Sequence, residues 1–221
     1  MSHLSHNRNH GISKEIRKQF RLGMPVGVML FAENLGFSAA SIMMGWISVT
    51  ALAAHQIVIL CAGTAFMLPL GLSQAATVRI GHARGEGALE RCRPIVFGTS
   101  ALATVVMSVF MFIFIVFGNF IAQGFTDNAD LITLVAAGLV LIGIMAIFDG
   151  LQVVFSGVLR AFEDVRVPML IMIAVYWLVT LPSAYWLAFE MHLGPQGIWS
   201  AIVLGIAIVA IALSWRTWKR I

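Results

Sequence analysis

The chain has 221 residues, of which 60% are hydrophobic and only 11% are charged, and its mean hydropathy is +0.93. A soluble domain of this size carries far more charge on its surface, so the composition excludes a soluble protein and indicates an integral membrane protein. The net charge of +4 raises the question of a nucleic-acid partner, which the positions of the basic residues answer.

Six apolar segments, each of about 20 residues or more, are long enough to cross a hydrocarbon core ~30 Å thick. They lie at 24–46, 52–76, 95–117, 131–159, 167–189 and 196–215. We therefore predict an all-α membrane protein in which six transmembrane helices pack as one bundle over residues 22–216. Residues 1–21 are predicted to form a polar cytoplasmic arm, and residues 217–221 a short cytoplasmic tail.

The basic residues predict the orientation of these spans. All 14 lysine and arginine residues lie in the arm, in the loops after the second and fourth spans, or after the sixth span. Since cytoplasmic loops collect basic residues, both termini are predicted to lie in the cytoplasm. The net charge of +4 then follows from membrane topology, and no nucleic-acid partner is expected.

Two prolines, Pro69 and Pro182, lie inside the second and fifth predicted spans. A proline inside a helix removes one backbone hydrogen bond and kinks the helix, which membranes tolerate where neighbours satisfy the freed carbonyl. Each kink is open to two interpretations, a static packing feature or a hinge.

Two carboxylates, Glu33 and Asp149, lie deep inside predicted spans. An ionisable group at membrane depth costs roughly 2.5 to 3.5 kcal/mol on insertion scales, so by default it marks an ion or substrate pathway. Glu33 lies 12 residues beyond Arg21, and Asp149 lies 11 residues before Arg160. A rise of 1.5 Å per residue places the two acids ~18 Å and ~16 Å from the inner helix ends, so we expect them at nearly the same depth.

Polar side chains recur at helical spacing on three of the spans, and they would line a hydrated pocket if these faces point into the bundle. They are Glu33, Asn34, Ser38 and Ser41 on the first span, Asp149, Gln152, Ser156 and Arg160 on the fourth, and Tyr176, Thr180 and Ser183 on the fifth.

The pair of acids has two interpretations from its spacing alone. A proton or Na⁺ bound at Glu33 and Asp149 would relieve the repulsion between two buried carboxylates. Alternatively, each acid is a protonated hydrogen-bond donor that ties two helices together. No histidine lies near a carboxylate or nucleophile in a pattern typical of an enzyme, so no catalytic residue and no cofactor is predicted.

Three blocks of the sequence closely resemble the multidrug and toxic compound extrusion (MATE) transporters of the NorM type. The blocks are LGMPVGVMLFAENLGF at 22–37, ALAAHQIVILCAGTAFMLPLGLSQAATVRIGHARGEG at 51–87 and AIFDGLQVVFSGVLRAFEDVRVP at 146–168. The resemblance covers about 22–216 and is to the carboxy-terminal lobe alone of a family with twelve helices in two six-helix lobes. The basic arm resembles the linker between the lobes.

The resemblance implies roles for particular residues. The family's carboxy-lobe cation site uses an acid on the first and on the fourth helix of that lobe, which fall on Glu33 and Asp149. Asn34 and Gln152 lie in the matching stretches and are candidate neighbours of the site. Tyr176 and Thr180 are further candidates for lining the cavity on their helical spacing, not on the resemblance. Met145 stands where some relatives have a tyrosine, so ligation by that side chain is not expected here.

The resemblance also implies a function. We expect a multi-pass protein of the plasma membrane, the inner membrane in a bacterium, that exchanges H⁺ or Na⁺ for lipophilic cationic drugs, or half of such an antiporter. The expected partners are the lipid bilayer, the organic cation and a second six-helix lobe, either another copy or a separately encoded half. One alternative is a non-transporting lobe or assembly subunit. Another is a lipid-linked sugar flippase, for which more cationic residues lining the cavity are expected.

Overall fold

The computed structural model describes the backbone of residues 3–221, the side chain of residue 17 and the side chains of residues 19–221. This part of the chain is a bundle of six long helices without β-strands. They are α1 (His3–Ile47), α2 (Val49–Gly85), α3 (Cys92–Gln123), α4 (Ala129–Ala161), α5 (Arg166–Glu190) and α6 (Pro195–Trp218). Each is long and apolar enough to cross a membrane, which confirms the predicted all-α membrane fold.

Every helix extends beyond the span predicted from hydropathy. The helix α2 has 37 residues and α4 has 33, which at 1.5 Å per residue is well beyond a ~30 Å hydrocarbon core. Hydropathy marks the lipid-embedded part of a helix, whereas its backbone hydrogen bonds continue into water. The backbone of the predicted arm belongs to α1 from His3 onward, although the side chains of residues 1–16 and 18 lie outside the described residues.

Short connections hold neighbouring helices antiparallel. One extended residue, Ser48, separates α1 from α2, and its hydroxyl accepts a hydrogen bond from the backbone N–H of Ala51 at 3.0 Å. At the start of α4 the Asn128 side chain accepts hydrogen bonds from the N–H groups of Asp130 and Leu131. Both residues satisfy donors that a helix start leaves unpaired, so each fixes where its helix begins.

The central helix of the bundle is α4, which packs against α2, α3 and α6. The close approach of these helices to α4 depends on glycines of α4. A Cβ atom at Gly138 would lie 2.8 Å from the Trp199 ring and 2.8 Å from Val58, so only a residue without a side chain fits there. Small residues at helix contacts are the usual way for membrane helices to pack closely.

The fifth helix is irregular around its proline. Its regular α-helical parts, Arg166–Ala174 and Leu181–Tyr185, are each followed by a π-helical stretch, Val175–Thr180 and Trp186–Glu190. Pro182 has no N–H for the preceding turn and its ring displaces a carbonyl, so the wider turn accommodates it. In contrast, α2 continues as regular helix through Pro69.

Candidate functional site

A cavity of about 470 Å³ lies between α1, α2, α4 and α5. The two acids identified from the sequence, Glu33 of α1 and Asp149 of α4, both line it. So do the two amide side chains expected beside them, Asn34 and Gln152. The fold therefore brings four of the six predicted site residues to one cavity.

Glu33 is half-buried, and a side chain of α5 contacts its carboxylate. The Tyr176 hydroxyl donates a hydrogen bond to Oε1 of Glu33 at 3.4 Å, and the tyrosine ring packs against Phe37 with centroids 6.3 Å apart. Gly36 leaves room for this ring, since a Cβ there would lie 3.3 Å from Tyr176 Cδ1. The hydrogen bond is long, so Tyr176 orients the carboxylate while leaving its oxygens able to bind a cation.

Asp149 projects from the middle of α4 and is also half-buried. It makes no hydrogen bond or ion pair with any residue in the described part of the chain. No lysine or arginine among residues 19–221 forms a salt bridge with either cavity acid. No ion pair with residues 19–221 would therefore neutralise the negative charge of an ionised pair, which is costly in a low-dielectric setting.

The amide side chains add neutral oxygen atoms to the acids. Asn34 is exposed and donates its amide N–H to the carbonyl of Leu30 at 2.8 Å, which leaves its Oδ1 available. Gln152 is buried, with a relative exposure of 4%, and its Oε1 has no hydrogen-bond partner among the described residues. Hard oxygen ligands of this kind suit alkali and alkaline-earth cations better than transition metals.

Two of the predicted cavity residues, Tyr176 and Thr180, do not form part of the cavity wall. Tyr176 is buried behind Glu33 and is not part of the cavity wall, which α5 reaches through Met172 instead. Thr180 is buried against α6, where its Oγ1 occupies the space left open by Gly205. Regular helical spacing grouped both residues with the polar stripe, but they lie in the π-helical turn at Val175–Thr180, where regular spacing does not hold.

Three further polar residues of the cavity wall, Gln74, Ser156 and Arg160, were not among the predicted site residues. Gln74 of α2 lines the cavity one turn beyond Leu70, and helical periodicity along α2 was the available signal. Arg160 was counted with the cytoplasmic basic residues, yet its half-buried side chain lines the same cavity as the acids. Its place in the polar stripe of α4 was the signal that indicated this position.

Comparisons with known proteins agree with the membrane fold described above. The MatE family profile matches residues 25–186. The probable multidrug resistance protein NorM of Agrobacterium fabrum is 37% identical over 201 residues, which are 89% of this chain and 43% of that protein. The multidrug resistance protein MdtK of Proteus mirabilis is 33% identical over 207 residues, 92% of this chain and 45% of that protein.

A solved structure gives the same result for the fold. The crystal structure of a MATE protein in the straight conformation is similar to this chain with a TM-score of 0.85 at 17% identity. The similarity covers 93% of this chain and 46% of the solved one. This chain therefore spans less than half the length of the relatives it matches.

Proposed function

The chain belongs to the MatE family of multi-pass membrane proteins, and on this basis we propose that it is one six-helix lobe of a cation-coupled antiporter that exports lipophilic organic cations. The main observation behind the proposal is the pair of carboxylates, Glu33 and Asp149, which line one cavity and form no ion pair with a basic side chain of the described residues. Intramembrane acids of this kind mark ion and substrate pathways.

The coupling follows from the cost of two negative charges at membrane depth. A proton or Na⁺ bound by Glu33 and Asp149 lowers this cost, and Asn34 and Gln152 offer oxygen atoms to the same ion. An organic cation in the cavity would be attracted by the same carboxylates. Each cation then weakens the binding of the other, which is the reciprocal coupling that an antiporter requires.

A second lobe is part of the proposal because polar side chains at membrane depth are exposed on this one. Asn34 of α1 and Thr64 and Gln74 of α2 are exposed in the described structure, and lipid tails cannot satisfy such groups. The relatives are more than twice the length that this chain matches, which leaves room for such a lobe. Rocking one lobe against another would then give access to each side of the membrane in turn.

The sugar flippase alternative finds no support in the cavity. A pyrophosphate needs several cationic groups, whereas the described residues that line the cavity include one arginine and two acids. The non-transporting alternative predicts that the chain reconstituted alone carries no ion-driven flux of an organic cation. Robust flux from the 221-residue chain would exclude that alternative.

The function is tested by removing each charge while keeping the shape of its side chain. In a host without its own efflux pumps, Glu33→Gln and Asp149→Asn are each expected to abolish resistance to lipophilic cations at unchanged membrane abundance. The matched control is Asp130→Asn, which alters an exposed acid at the start of α4, outside the cavity. Wild-type resistance in both cavity variants would show that the site is assigned to the wrong residues.

A further inference from the structure

Arg160 is a cationic group within the cavity wall that the coupling mechanism does not use. It belongs to the last turn of α4, but its side chain is half-buried and lines the cavity. Its Nη2 donates a long hydrogen bond of 3.5 Å to the Ser73 hydroxyl, and its buried Nε has no partner among the described residues. The guanidinium therefore retains most of its capacity to donate hydrogen bonds.

Three other arginines at this end of the bundle, Arg91, Arg216 and Arg220, have acid partners. Asp164 binds both Arg216 and Arg220 through contacts of 2.9 Å, and Arg91 has an acid partner at 3.2 Å. Arg160 forms no ion pair with any residue whose side chain the structure describes. A partly buried guanidinium without a counter-charge is unfavourable, so an anionic group that enters the cavity would bind there with little competition.

The contact between α2 and α4 holds Arg160 in a defined position. The Ser73 hydroxyl donates to the carbonyl of Val153 at 2.7 Å, and the Thr77 hydroxyl donates to the carbonyl of Gly157 at 2.9 Å. Because the Ser73 hydroxyl also lies against Gly157, the Nη2 that reaches it lies about one turn before its own Cα along α4. The side chain thus points back along the helix in the direction of Asp149.

The cavity consequently has two oppositely charged ends. Asp149 and Arg160 are 11 residues apart on one helix, so their Cα atoms are separated by ~16 Å along the helix axis. The distance between the charged groups is shorter, because the arginine side chain points back along the helix. Gln152 and Ser156 line the wall between them. A molecule with one positive and one negative group could therefore meet a complementary charge at each end.

We propose that Arg160 binds the carboxylate of a zwitterionic substrate whose cationic nitrogen lies at Glu33 and Asp149. The inference rests on the proposed function and makes Arg160 a specificity-determining residue, which distinguishes amine substrates with a free carboxylate from those without one. A guanidinium and a carboxylate match in geometry and form paired, charge-assisted hydrogen bonds. A simple organic cation uses the acidic end alone and does not depend on Arg160.

The test uses two dyes that differ only at the carboxylate, a rhodamine with a free carboxylic acid and the methyl ester of the same rhodamine. Binding to the purified chain in neutral phosphatidylcholine nanodiscs is followed by fluorescence anisotropy. Arg160→Gln is expected to weaken binding of the free acid about tenfold or more and to change binding of the ester by less than about twofold. Arg160→Lys should retain part of the affinity for the free acid.

Controls separate the role of Arg160 from folding and from surface charge. Arg91→Gln removes an exposed arginine outside the cavity and should leave the binding of both dyes unchanged. The ester serves as the folding control, because a misfolded variant would lose both dyes. Equal losses for the two dyes in Arg160→Gln, or no loss for the free acid, would overturn the inference.

A lipid phosphate is the other anionic group that could reach Arg160. If it were the natural partner, adding phosphatidylglycerol to the nanodiscs would weaken binding of the free acid and leave the ester unaffected, and the inference would be wrong. The same binding experiment tests the proposed function separately from the role of Arg160. If wild type binds the ester and Glu33→Gln abolishes that binding, the function stands even when Arg160→Gln has no effect, whereas binding of neither dye contradicts both.

Discussion

Gly157→Ala tests the close contact of α2 and α4 on which the cavity wall depends. A Cβ at this position would collide with the Ser73 hydroxyl and lie 2.9 Å from the Ser73 carbonyl oxygen and 2.9 Å from Thr77 Oγ1. One of these atoms belongs to the backbone, so a change of rotamer cannot relieve the crowding. We expect α2 to move away from α4 and to lose both hydroxyl-to-carbonyl hydrogen bonds.

The magnitude follows from three effects. Overpacking a membrane helix contact costs about 1 to 3 kcal/mol. Each lost interhelical hydrogen bond adds roughly 0.6 kcal/mol, and the higher helix propensity of alanine offsets about 1 kcal/mol. The free energy of unfolding should therefore fall by about 1 to 3 kcal/mol.

The assay is reversible unfolding of the purified chain by increasing sodium dodecyl sulfate in mixed micelles, followed by fluorescence of its 6 tryptophans. Gly71→Ala is the matched control, since a Cβ at Gly71 on α2 would meet no atom within 4 Å. It should be neutral or stabilising by up to about 1 kcal/mol. If the two variants had the same stability, the reasoning about close packing at Gly157 would be refuted.

Three further substitutions test other contacts. Tyr176→Phe removes the 3.4 Å hydrogen bond to Glu33, and because that bond is long we expect less than about a threefold change in affinity for an organic cation in a dye-binding titration. Asp164→Asn breaks its two ion pairs at 2.9 Å and should destabilise the protein by about 3 kcal/mol in the detergent unfolding assay. The exposed control Glu86→Gln should cost less than about 1 kcal/mol. Trp199→Phe removes a buried indole donor to a histidine at 3.1 Å and should cost about 1 kcal/mol in the same assay, so an unchanged stability would argue against that bond.

The sequence was sufficient to predict the number of helices and to find the two acids. Charged side chains are so costly in lipid that Glu33 and Asp149 stood out within apolar spans, and counting residues placed them at similar depths. The positions of the helix ends were predicted less accurately from the sequence. Hydropathy falls where a helix leaves the membrane, but α2 continues as helix to Gly85 because its backbone remains hydrogen-bonded in water.

The directions in which individual side chains point could not be predicted from the sequence either. Thr180 faces α6 and lies in the π-helical turn of α5, where regular spacing does not hold. Such turns have no reliable sequence signal beyond the nearby proline. Arg160 was assigned to the cytoplasmic end by its position in the chain, although a long side chain can reach back along its helix. The structure shows where its guanidinium lies, in the cavity wall and in contact with Ser73.

The central claim is that one pair of carboxylates binds both the coupling ion and the organic cation. It is tested most directly by equilibrium binding of a lipophilic monocation to the purified chain in nanodiscs, titrated with Na⁺ at fixed pH and then with acid at fixed Na⁺. We expect at least one of the two ions to compete with the organic cation in wild type. In the Glu33→Gln/Asp149→Asn double variant we expect binding of the organic cation to be lost or greatly weakened, and any residual binding to be insensitive to both ions. Binding that is insensitive to both ions in wild type, or competition that persists in the double variant, would contradict the account.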